Sequence, residues 1–264
     1  MEGHHREALE LLKGGEYEQG QSFRVMERYA YSLSQLGELE EAVTVTEEAL
    51  KLVQEGQGAT QQDRGTLHLR MVRLLYWQGH HQEAVAHLEE ARTCFRSSGS
   101  PAGLAEVANA EGDICRALGD LHGAERAYRT ALHFTELAGK GDALVEEFNL
   151  LIVGVLLGRD GEEIGRLGES IWKDSEAQGG TFLQPYIRLV QAWAAAVAGK
   201  RDRMEYFWRD GLRRFEPGVE PDGVLLAEAI GDATADQGWD DLATAVRRWA
   251  REVSVPNTAA AAPK

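Results

Sequence analysis

One spacing constrains this chain more than any other: a glycine that returns about every forty residues. Aligning QLGELEEAV, WQGHHQEAV, ALGDLHGAE, LLGRDGEEI, VAGKRDRME and DQGWDDLAT places Gly37, Gly79, Gly119, Gly158, Gly199 and Gly238 at intervals of 42, 40, 39, 41 and 39. Glycine is common here, 29 of 264 residues, so the period needs support from other offsets. Twelve residues after each glycine stand Ala49, Ala91, Ala131, Ser170, Gly211 and Ala250. Five after stand Ala42, Ala84, Ala124 and Ala243, with Glu163 and Met204 as exceptions; seven before stand Ala30, Val72, Gly112, Leu151, Ala192 and Gly231. Self-similarity at this period marks stacked supersecondary units.

Each unit reads as two antiparallel helices. Small residues let the backbones approach, and the glycine supplies the left-handed conformation that ends the first helix. Between units lie QEGQGATQQD, RSSGSPAG, LAGKGD, EAQGGT and EPGVEPDG, whose Gly, Ser and Pro break helices. Apolar residues recur at three- and four-residue steps, as in Val43, Ala49, Leu50 and Val53, or Leu242, Val246, Trp249 and Val253. No segment demands a strand. Glu163 and Met204 predict that units four and five have wider helix crossings or a frame slipped by one.

Residues 104 to 134, LAEVANAEGDICRALGDLHGAERAYRTALHF, resemble a tetratricopeptide repeat through Gly112, the Leu118, Gly119, Asp120 turn, Leu121, Ala124, Tyr128 and Ala131. The long period is similar to the roughly forty-residue variants of signalling adaptors and of the C-terminal arms of bacterial kinases and transcriptional regulators. The resemblance implies an all-α, right-handed solenoid of about six helix pairs over residues 3–254, plus one unpaired N-terminal helix. It is specific for fold and unspecific for function, because such repeats frame many partners.

The chain opens inside the pattern. GHHREALELL, residues 3 to 12, aligns with GHHQEAVAHL at 79 to 88, the second helix of a unit. An alternative frame pairs residues 4 to 13 with a helix starting near Tyr17. Either way an end helix is unpaired, and its Leu9 and Leu12 predict a fragment, a covered surface, or homo-oligomers stacked through the uncapped end. After Val253, SVPNTAAAAPK has little to bury, so residues 255–264 read as a disordered tail.

Charge and composition exclude several function classes. Forty-three acidic against 28 basic residues give −15, which opposes attraction to nucleic acid or anionic membranes. The longest apolar run, FNLLIVGVLLG from Phe148, is too short to span a bilayer, and the start is not signal-like. Two unpaired-looking cysteines, Cys94 and Cys115, fit a reducing compartment, so a cytoplasmic chain is expected. Adjacent histidines, His4 with His5 and His80 with His81, point about 100° apart on a helix and cannot share a metal as i, i+4 ligands would. AGKGD at 138 to 142 lacks the upstream glycine and the Ser or Thr of a phosphate loop. Cys115 stands four before Gly119, where other units place Leu33, Leu75 and Ala195, a core position. No cofactor, metal site or catalytic residue is expected, and the chain does not read as an enzyme.

The informative surface is the first helix of each unit, whose exposed side lines the concave face of a stacked array. Positions thirteen, ten, six and three or two before each glycine share that side. They are Arg24, Glu27, Tyr31 and Gln35; Thr66, Leu69, Arg73, Tyr76 and Trp77; Glu106, Asn109, Asp113 and Arg116. Then follow Val145, Phe148, Ile152 and Val155; Tyr186, Leu189 and Trp193; Leu225, Glu228, Asp232 and Asp236. From Glu216 to Asp241 there are eight acidic residues and no Lys or Arg. Tyr31, Arg73, Tyr76, Trp77, Asn109, Arg116, Tyr186, Trp193, Asp232 and Asp236 are therefore the candidate partner-binding residues, because Trp, Tyr and Arg dominate binding anchors. Tyr76 and Trp77 cannot both face the groove, and FNLLIVGVLL, apolar all round, equally reads as core. Glu27, Tyr31, Leu69 and Arg73 stand where carboxylate-clamp adaptors resemble one another in Lys and Asn, so chaperone-tail binding is disfavoured. Two functions are expected: a protein-interaction module gripping a peptide or helix segment, with basic residues meeting the acidic end, or a sensor arm of a multidomain kinase or transcriptional regulator.

Overall fold

The structure is a computed structural model that describes residues 22–55, 58–139, 143–179, 181–215 and 221–254. Every regular element among them is helical. The expected helix at residues 4 to 13 and the tail 255–264 lie outside the described residues. The chain divides into two compact units, Met1–Ala143 and Leu144–Lys264.

In the first unit the helices are α1 (Phe23–Gln35), α2 (Leu39–Gln54), α3 (Gln61–Trp77), α4 (His81–Ser98), α5 (Pro101–Ala117) and α6 (Leu121–Leu137). The second holds α7 (Leu144–Leu156), α8 (Gly161–Gln178), α9 (Gln184–Val197), α10 (Arg201–Arg214), α11 (Pro221–Asp236) and α12 (Asp240–Ser254), with a 3-10 turn at Thr181–Leu183 before α9. Among the described residues, consecutive helices pack as six hairpins, three in each unit.

All six periodic glycines lie at the bend inside a hairpin, with φ between 63° and 81°. The bends share one mechanism. The residue after each glycine donates its N–H to the carbonyl five residues earlier: Glu38 to Leu33, His80 to Leu75, Asp120 to Cys115, Arg159 to Gly154, Lys200 to Ala195 and Trp239 to Thr234. That is a Schellman closure, which satisfies carbonyls the helix end would otherwise leave bare and needs a left-handed residue at its centre.

The small residues sit where helices cross. Ala42, Ala84, Ala124, Ala49, Ala91 and Ala131 are fully buried, as are Ala30 and Ala192 before the bends. Gly112 shows why: a Cβ there would lie 2.3 Å from the Tyr128 ring, whose hydroxyl donates to Asp113 at 2.7 Å. Units four and five resolve differently. In unit five Met204 itself fills the crossing and is fully buried. In unit four one extra residue follows the bend, so Asp160 caps α8 by accepting from the Glu163 N–H at 2.8 Å. The frame slips by one, Glu163 and Ser170 are exposed, and Ile164 and Ile171 take the buried places.

Each unit has its own apolar core. The first runs from Phe23 to Ile114 through Met26, Leu33, Leu67, Leu74 and Phe95. The second is built on Phe148, Leu151, Ile152, Ile187, Leu189, Trp193, Met204 and Leu226. No helix among the described residues is long and apolar enough to cross a membrane.

Candidate partner-binding cleft

The second unit carries a cleft of about 490 Å³ formed by the first helices of its three hairpins. Val155, Leu156, Gly158 and Arg159 at the end of α7 close one side. Trp193 and Val197 of α9 line the cleft, and Leu225, Glu228, Ala229, Asp232, Ala233, Asp236 and Gln237 of α11 and its turn form the opposite wall. Glu228, Asp232 and Asp236 step by four along α11, which puts three carboxylates on one helical face. The cleft therefore has an apolar lining of Val, Leu, Ala and Trp, with Arg159 on the α7 side and an acidic rail on the α11 side.

The rail is not neutralised along its length. Asp232 accepts from Arg247 of α12 at 2.6 Å, and Arg247 reaches it by lying over Gly231, where a Cβ would be 2.9 Å from its Cγ. Glu228 and Asp236 are exposed and form no ion pair among the described residues. Asp236 is also the last residue of α11, a helix with no basic residue in its final turn. A carboxylate at a helix C-terminus opposes the helix dipole, so this acid is placed against the local preference of its own helix.

The predicted residues separate by unit. In the second, Trp193 is buried apart from an edge of 5% exposure and lies in the cleft with Asp232 and Asp236. Tyr186 is half-buried two turns earlier on α9, outside the cleft lining, edge-on to Phe148 at 6.0 Å and to Phe215 at 5.0 Å, and packs against the core. Phe148, Ile152 and Leu189 are core. Val197 and Arg159 were not foreseen in the cleft. Val197 stands two before Gly199, an offset already in the pattern, whereas Arg159 follows the bend and carries no periodic signal.

In the first unit, ion pairs tie several of the expected face positions to the neighbouring first helix. Arg24 pairs with Asp63, Arg70 with Glu27, and Arg73 with Glu106 at 3.0 Å, each linking neighbouring first helices. Tyr31 is exposed under the Arg70 guanidinium at 4.8 Å. Tyr76 is half-buried at the core edge, tilted against His81 at 5.3 Å, while Trp77 is exposed at 47%. Asn109 is half-buried on α5. Arg116 is buried and meets Asp113 at 3.4 Å, the same carboxylate that accepts from Tyr128. A depression of about 190 Å³ between α1 and α3 is lined by Phe23, Arg24, Glu27, Arg28, Asp63, Thr66 and Leu67.

Neither cysteine has the electrostatics of a nucleophile. Burial pushes the thiols of Cys94 and Cys115 above the usual cysteine range, and carboxylates nearby, Glu90 for the first and Glu111 with Asp120 for the second, act in the same direction. Among the described residues no group of three or more His, Cys, Asp or Glu is placed to hold a metal.

A tetratricopeptide repeat family model matches residues 63–136, which run from α3 to α6. No curated protein sequence matches the chain. Among solved structures, the apo form of RapI is similar with a TM-score of 0.74 at 11% identity, over 93% of this chain and 88% of that one. A Rap protein complexed with Competence and Sporulation Factor is similar over 88% of this chain, with a TM-score of 0.68 at 15% identity; the alignment spans 63% of that longer chain. The apo form of the quorum sensor NprR from B. thuringiensis gives a TM-score of 0.59 at 13% identity, over 97% of this chain and 77% of that one. At these identities the likeness shows the fold.

Proposed function

We propose that the chain, whose residues 63–136 match a tetratricopeptide repeat model and whose helix-hairpin fold is similar to that of RapI, is a non-catalytic interaction module whose second unit binds a peptide or helical segment of a partner protein. The observation that carries this reading is the cleft of Trp193, Val197 and Leu225 beside the rail of Glu228, Asp232 and Asp236. Such a surface fits a segment that presents an apolar side chain next to Arg or Lys. The aliphatic stem of the basic residue lies on the apolar lining while its charge reaches the rail. Exposed ion pairs contribute little individually, so the apolar anchor supplies most of the affinity and the rail supplies the choice of partner.

Matched ten-residue peptides, one set bearing Arg or Lys beside Leu or Phe and the other with Gln in place of each basic residue, test this by calorimetry on the full chain. Tighter binding of the basic set, weakened by Glu228→Gln with Asp236→Asn and by rising salt, supports the proposal. Equal affinity of both sets, or no effect of the double substitution, rejects it.

A second reading is favoured by the solved structures: the array senses a signal for a larger regulator. One similar protein is described as a quorum sensor and another was solved in complex with Competence and Sporulation Factor. The two readings share the cleft and differ in consequence. A sensor arm changes the protection of helices outside the cleft when a cleft ligand binds, and a passive module does not.

A further inference from the structure

We propose that His68 and His87 form a proton-operated latch between the two helices of the second hairpin, closed by one shared hydrogen bond and opened by a second proton. His68 lies on α3 and His87 on α4, and their Nδ1 atoms are 3.1 Å apart with ring centroids at 5.3 Å. Both rings are half-buried. A hydrogen bond between two imidazole nitrogens needs one N–H and one lone pair. The neutral pair supplies them when one ring is the Nδ1–H tautomer. The singly protonated pair still supplies them, with the protonated ring donating and the neutral ring accepting. The doubly protonated pair cannot: two N–H groups face each other, and two cations share a half-buried space.

The surroundings do not abolish that limit. Burial lowers the His68 imidazole below the ordinary histidine range, and the charge of His87 and of Arg64 on α3 act in the same direction, with Glu90 on α4 opposing. Burial likewise lowers His87, opposed by Glu47 on α2 and Glu90. Cys94, one turn beyond Glu90, stays a neutral thiol because burial and Glu90 raise it. In the opened hairpin both rings return to ordinary values near about 6.5. The folded state is depressed relative to that, so the stabilisation is complete above about pH 6.5 and is lost as pH falls below it, where the open form binds more protons. α3 also carries the exposed Arg73 and Trp77, so acid loosens the helix that presents them. The inference does not depend on the cleft of the second unit.

The test is a ring-nitrogen NMR titration of the full chain from pH 8 to 5, with His68→Gln and His87→Gln for assignment, combined with amide exchange across α3 and α4. The expected result is two separated titration steps with the lower one below about 6.5. In the wild type, opening of α3 and α4 should increase by up to about tenfold per pH unit through that window beyond either variant, the linkage of one additional proton. Both rings titrating together at the ordinary value, or the same pH dependence of exchange in wild type and variants, overturns the proposal. Should a variant fail to fold, the wild-type ring titration decides alone.

Discussion

Gly112 and Gly165 are both helical glycines, yet the same substitution has opposite consequences at the two. At Gly112 a Cβ meets the Tyr128 ring at 2.3 Å, and that ring is held by its bond to Asp113. Gly112→Ala is therefore expected to destabilise the first unit by about 1–3 kcal/mol, the range for overpacking a filled crossing. At Gly165 the nearest atom is the Ala194 Cβ at 3.4 Å, an ordinary contact. Gly165→Ala removes unfolded-state freedom inside a helix and is expected to stabilise by about 0.4–1 kcal/mol. Urea unfolding of the two variants checks both signs. Asp236 offers a third expectation at this scale. Asp236→Lys relieves the carboxylate at the end of α11 and is expected to raise stability by about 0.3–1 kcal/mol while weakening the basic-peptide binding proposed for the cleft. Raised stability with unchanged binding would remove Asp236 from the site.

At the scale of elements, α8 shows how far the periodic pattern carries and where it stops. The bends were legible because a left-handed glycine at a Schellman closure is a local demand that the sequence must meet each time. The buried small residues were legible because helix crossings repeat. The α8 register was not fixed by the pattern, since a residue added after a bend leaves the glycine period nearly intact and shifts every later position around the helix. Ile164→Ala is expected to cost about 2–5 kcal/mol, whereas Glu163→Ala, on the exposed side, is expected to stay within about 0.5 kcal/mol. Thermal unfolding of the pair reads that slip directly; a larger loss at Glu163 would contradict it. The cleft was legible in part for the same reason. Trp193, Asp232 and Asp236 follow from helical spacing, but spacing does not tell which first-helix residues their neighbours already occupy. Arg73 is engaged by Glu106 from a neighbouring helix, a partner no single-helix pattern ranks, and Arg116 meets Asp113 one turn back on its own helix but is buried, which its spacing alone does not show.

At the scale of the whole molecule, a net charge of −15 attracts any basic peptide to some degree. Reduced binding after neutralising two carboxylates does not alone separate a cleft from a general field. The most direct measurement is therefore a charge exchange with matched net charge. One protein carries Glu228→Lys and Asp236→Lys in the cleft; the other carries Glu48→Lys and Glu136→Lys, exposed carboxylates of the first unit. Each is titrated with peptides that place Arg or Glu beside the same Leu or Phe. The cleft reading predicts that the first protein loses the Arg peptide and prefers the Glu peptide, while the second keeps the wild-type order with a small uniform loss. If both proteins weaken alike, or the cleft-reversed protein still prefers Arg, the partner is not held by Trp193 and the acidic rail of α11.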